Sequence, residues 1–128
     1  MSDLELQGVR ELERALDKAG DKANKALAAA MFEEGNRIMT RSKMITPVDI
    51  GTLRNSGTVL RPEMRGNQIE VQMGFGGAAS AYAEIQHERT DYHHTVGEAK
   101  FLKKPLDAAK QGLAQRLAKR VNAAIRRI

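Results

Sequence analysis

The sequence predicts an α+β fold: a small antiparallel β-sheet flanked by a long helix from the N-terminal half and by a C-terminal helix. Three observations carry that expectation. Between residues 22 and 45, apolar side chains recur every three or four positions. The stretch QIEVQMGF, residues 68–75, alternates apolar and polar side chains. Beyond Pro105, Leu106, Ala109, Leu113, Leu117, Val121, Ala124 and Ile128 line one helical face.

Taken in order, DLELQG alternates acid and leucine before Gly8 and reads as a short opening strand or extended arm. Val9, Leu12 and Leu16 then take helical spacing, and Gly20 stops that helix. Asp21 is placed to cap a second helix over 22–45, with Leu27, Ala28, Met31, Phe32, Gly35, Ile38, Met39, Ser42 and Ile45 as its stripe. Pro47 ends it, because proline disfavours helical backbone at Thr46. Residues 53–61 read as a strand closed by Pro62, and EMRGN as a turn. In the next strand Ile69, Val71, Met73 and Phe75 point one way and Glu70 and Gln72 the other, which makes an antiparallel hairpin with one wet face. GGAASA is a loop, YAEIQHE a short helix or strand, and 89–97 an irregular polar segment. Pro105 suits the first turn of the last helix.

At 128 residues the chain is long enough for one domain, 1–128, and too short for two of ordinary size. Its five aromatics (Phe32, Phe75, Phe101, Tyr82, Tyr92) are few beside its alanines and methionines, so a modest core completed against other copies is expected. With no cysteine, disulfides, thiolate metal sites and cysteine nucleophiles are excluded. MSDLELQGV has acids where a secretion signal needs basic and then apolar residues, and no apolar run approaches the ~20 residues of a membrane span. A cytoplasmic site of synthesis and no membrane partner are the expectation. The net charge of +5 is uneven: residues 100–128 carry nine Lys or Arg against Asp107 alone, +8, leaving −3 on the first 99. The basic end must face water, an acidic protein surface or nucleic acid.

The stretch YAEIQHERTDYHHTVGEAKFLKKPL holds all three histidines. HERTD nearly matches H-E-x-x-H, but Asp91 stands where the second histidine belongs, and His93 and His94 follow at i+6 and i+7 from His87. Asp and His both bind zinc, yet adjacent histidines in a polar segment are usually solvated, so no metal is expected. GFGGAAS lacks the Gly-Lys-Ser/Thr of a phosphate loop. Ser42, Ser56 and Ser80 lie in no G-x-S-x-G setting, so no catalytic residue, cofactor or enzyme activity is expected. The basic last helix could track nucleic-acid phosphates, but no aromatics interleave its charges.

Two stretches carry a resemblance. TPVDIGTLRNS resembles the P-V-D-T-G-x-L-R-x-S signature after a long helix in the tail-completion or head–tail joining (neck) proteins of long-tailed bacteriophages, some described as minor tail or minor capsid components. The stretch from Tyr82 to Leu106 is similar to that family's later motif, a Tyr-Ala pair leading to a Glu or His-Glu element and then to a Phe-Leu-x-x-Pro helix start. Ile50 replaces the usual threonine, and QHERTD replaces the commoner Glu-x-Gly-Thr.

The resemblance implies a non-enzymatic virion protein, assembled in the host cytoplasm, whose copies form a ring at the head–tail junction. Six copies are favoured and twelve possible, stacked between a head-completion or connector ring and the tail tube, with DNA passing through the lumen without sequence readout. The second reading is a small non-specific DNA-binding protein using the basic last helix. In the ring reading Asp49 caps or pairs near Arg54, and Gly51 allows the turn between helix and sheet. Tyr82 and Phe101 are the aromatic anchors, and Glu84, His87, Glu88, His93, His94 and Lys100 complete a connecting arm that touches other subunits.

Overall fold

The computed structural model describes residues 3–46, 55–65, 68–75, 82–88, 94–97 and 100–126. These form four helices and five strands: α1 (Asp3–Ala19), α2 (Asp21–Ile45), β1 (Thr58–Val59), β2 (Glu63–Arg65), β3 (Gln68–Gly74), β4 (Tyr82–Glu88), β5 (His94–Gly97), α3 (Lys100–Lys110) and α4 (Leu113–Arg126). The expected α+β class is what the chain adopts.

The opening strand is not. Helix α1 begins at Asp3 and runs straight through Gly8. An alternation this short cannot outweigh a helix that finds a partner, and α1 packs chiefly along α4. Gly8 serves that contact: a Cβ there would lie 2.8 Å from Cγ and 3.0 Å from the backbone nitrogen of Gln115. Leu12 and Leu16 follow it into the core, fully buried. Gly8→Ala is therefore expected to lower stability by about 1–2 kcal/mol, although alanine is the better helix former by about 1 kcal/mol. Chemical denaturation checks this, and a rise in stability would mean that the two helices are free to separate.

Gly20, at a φ of 61°, separates α1 from α2, as the sequence suggested. It also takes the N-cap position, with no side-chain cap bond; Asp21 lies in the first turn, where its charge still faces the helix dipole. At the other end Thr46 has φ −73° and ψ 127°, the extended backbone required before Pro47. Both its N–H (3.1 Å) and its hydroxyl (2.9 Å) donate to the Ser42 carbonyl, closing the helix.

All five strands pair antiparallel, in the order β1/β2, β3, β4, β5, with β1 and β2 sharing one edge of β3. The strand expected over 53–61 contracts to Thr58–Val59 within the described residues, and the first three residues of the expected turn EMRGN are strand instead. The two pieces are one edge strand with a bulge. Thr58 and Val59 oppose Gly74 and Met73, and Leu60 N–H donates to the Gln72 carbonyl at 2.8 Å. Glu63 then opposes Glu70, so Arg61 and Pro62 together stand against Val71 alone. A proline with no N–H to donate fits such a bulge on an edge.

β3 is as the alternation foretold: Ile69, Val71 and Met73 are buried, while Glu70 and Gln72 lie on the other face. Phe75, just past its end, is fully buried. The helices cover one face of the sheet, with α2 against β1, β3 and β4 and α3 against β4 and β5.

The single C-terminal helix expected from Pro105 is two helices. Gly112, at a φ of 72°, ends α3, and α4 starts at Leu113. α3 begins earlier, at Lys100, which puts Pro105 inside it rather than in its first turn. Leu106, Ala109, Leu113, Leu117 and Val121 are buried as the periodicity requires; Ala124 is half-buried, and Ile128 lies outside the described residues. Nor is the core thin. Leucines, isoleucines and methionines from all four helices join β3, Phe75 and Ile85 of β4 in one cluster. Among the described residues no helix is long and apolar enough to cross a membrane.

Candidate functional site

The stretch 82–106, expected to be a connecting arm, is mostly framework. Tyr82, Glu84, His87 and Glu88 belong to β4, which pairs with β3 along seven positions. His94 opens β5, part of a segment expected to be irregular, and Lys100 and Phe101 start α3. Asp49, Gly51, Arg54 and His93 lie outside the described residues. Residues 82–88 and 94–97 are thus paired strands of the sheet rather than an irregular connecting segment.

Register also separates two of the histidines. His87 opposes Ile69, in the row of the core-facing Val71–Ile85 pair, whereas His94 opposes Gln86, in the row of Glu70. The two residues thus belong to opposite faces of the sheet. Among the described residues no three of His, Cys, Asp and Glu are grouped to hold a metal ion.

The strongest polar construction lies elsewhere, on the helices. Glu34 falls in phase with the buried positions Leu27, Met31 and Ile38 of α2 and is itself buried, with its side chain 5% exposed. A carboxylate so placed needs a partner. Arg116 of α4 supplies it, Nε donating to Oε1 at 2.6 Å and Nη2 to Oε2 at 3.4 Å. The same guanidinium donates from Nη1 to the Gln111 carbonyl and from Nη2 to the Ala109 carbonyl, both at 2.7 Å. These carbonyls sit at the C-terminal end of α3, so one side chain ties three helices together. Next to it, Glu33 pairs with Arg120. Part of the basic excess of 100–128 is thereby matched within the chain, by the acids of α2.

Beside the Glu34–Arg116 pair opens a cleft of about 120 Å³, lined by Glu34, Arg37, Ile38, Arg41, Ala108, Ala109 and Arg116. Arg37 and Arg41, one helical turn apart on α2, are exposed. Near the end of the same helix Met44 and Ile45 are 78% and 47% exposed. A second surface with large exposed apolar residues is the bulged sheet edge, where Leu60 and Met64 are 53% and 50% exposed. Leu60, Glu63, Glu70 and Gln72 share its helix-free face by register.

Sequence reasoning missed the cleft because it treated α2 as a stripe of apolar residues and passed over the acid lying in phase with it. That acid was the available signal: Leu27, Met31, Glu34 and Ile38 are spaced i, i+4, i+7, i+11, which puts a charge among buried positions. No family model, curated protein or solved structure matches this chain.

Proposed function

We propose that the chain is a structural subunit of a phage head–tail junction, a tail-completion or neck protein whose copies close into a ring through which DNA passes. The sequence resemblance in 46–56 and 82–106 suggests the family. The observation that carries the reading further is that, among the described residues, the large exposed apolar side chains fall at two unlike places, Met44–Ile45 at the end of α2 and the bulged sheet edge, where Leu60 lies on the helix-free face and Met64 opposes Ile69 on the other. A head-to-tail ring joins two different surfaces of each subunit, unlike a two-fold dimer, which joins one patch to itself. The well-filled core removes the need for partners to complete folding, so the ring is a matter of surface complementarity.

Native mass spectrometry of the purified chain, alone and with head-connector or tail-tube proteins, tests the proposal. The expected result is a discrete closed oligomer, six copies favoured and twelve possible. A monomer that binds duplex DNA with steep salt dependence would instead make it a small DNA-binding protein. Cleavage of a substrate with a stoichiometric metal would overturn both readings.

A further inference from the structure

We propose that the cleft between Arg37, Arg41 and Arg116 is a binding site for one dianionic phosphate group, free or carried as a monoester. The site stands apart from the ring reading, which needs no ligand. Arg37 and Arg41 are exposed on α2 at i and i+4, which sets their Cβ atoms about 5–6 Å apart on one face. Among the described residues neither has a carboxylate partner, so two guanidinium forks stand open at the rim.

The third arginine is held in place beneath them. Arg116 makes four hydrogen bonds, to both Glu34 carboxylate oxygens and to the Ala109 and Gln111 carbonyls, which leaves one of its five N–H groups uncommitted. Glu34, the acid in the lining, is neutralised by that pairing. The charges of Arg37 and Arg41 are therefore left over. On α3, Asp107 pairs with Lys110 at 3.6 Å, and exposed Lys104, one turn before Ala108, adds to the positive field. Ile38, Ala108 and Ala109 supply an apolar wall, beside which a charge-assisted hydrogen bond is stronger than in open water.

Size and charge select the ligand. At about 120 Å³ the cleft has room for roughly four waters of ~30 Å³ each. Pockets for drug-sized molecules start near ~300 Å³, so one small tetrahedral anion fits and a nucleoside does not. A phosphate monoester carries about −1.5 to −2 at neutral pH, which matches two open arginines. A carboxylate, or each diester of a nucleic-acid backbone, carries a single charge and leaves one arginine unmatched.

Isothermal titration calorimetry of the full chain with inorganic phosphate tests the site. One phosphate per chain is expected, bound at least tenfold more weakly by R37Q/R41Q. R37K/R41K, which keeps the charge and loses the fork, should fall between the two. Circular dichroism monitors folding, and R37K/R41K carries the test if the glutamine variant unfolds. Acetate is expected to bind at least tenfold more weakly than phosphate. No phosphate binding, equal binding by the variants and the unaltered chain, or acetate bound as tightly as phosphate overturns the proposal. So does duplex DNA held through Arg37 and Arg41 by a chain that ignores inorganic phosphate, which assigns the cleft to a nucleic-acid backbone. Native mass spectrometry keeps the ring reading separate: a monomer that binds phosphate removes the ring and keeps the site, and a ring that binds none does the reverse.

Discussion

Phe75→Ala is expected to cost about 3–5 kcal/mol of stability, the largest single effect in this chain. Phe75 heads the fully buried side chains by volume. It sits just past the end of β3, where the position of a Cβ on Gly57 lies 3.0 Å from its ring and 2.7 Å from the Met39 sulfur. The ring is therefore held between the entry to β1 and the C-terminal half of α2. Truncation removes the transfer energy of the ring and leaves a cavity that the ladders on either side of β3 prevent from collapsing. Denaturant unfolding measures the loss. A cost below about 1 kcal/mol would show that the Met39 side chain flows into the space, as methionine is able to do.

Removing the guanidinium at the helix junction is the next most damaging change. Arg116→Met is expected to cost about 3 kcal/mol, because it leaves the Glu34 carboxylate buried with its principal partner gone and strips a donor from two carbonyls at the end of α3. The figure is set at the low end for a broken buried pair because the Arg116 side chain is 37% exposed, which lets water reach part of the site. Glu34→Met on the same background should recover roughly half or more of the loss, since an apolar pair of similar volume needs no counter-charge. Thermal or denaturant unfolding of the two single variants and the double separates the terms. If the double is no more stable than Arg116→Met alone, the orphaned charge is not what the single substitution costs, and the lost carbonyl caps carry it.

How far the fold was readable from residues alone differs between elements for physical reasons. β3 was legible because one of its faces is wet, so Ile69, Val71 and Met73 alternate with Glu70 and Gln72. β4 reads as helix or strand because its sequence, YAEIQHE, has Ile85 as its one large aliphatic residue and no clear apolar period. β2 was read as a turn since an edge segment followed by Gly66 and Asn67 has the composition of one; its pairing comes from β3, not from its own residues. The last helix was read whole because its apolar period runs unbroken from Leu106 to Val121, through the glycine that divides it.

The same contrast holds for the sites. The eye is drawn to His87, His93 and His94, rare residue types crowded together, whereas the arginine cleft is assembled from common ones on three helices. Glu34 and Arg116 are 82 residues apart in the chain, and nothing short of the tertiary fold brings them together.

The step at Arg61 and Pro62 has a consequence for the outer edge of the sheet it belongs to. A straight outer strand would offer a ribbon of backbone groups onto which any extended peptide could zip, copy after copy, without limit. Here the ribbon is broken into pieces of two and three residues and is interrupted by a position that has no hydrogen to give. Main-chain stitching onto this edge is blunted.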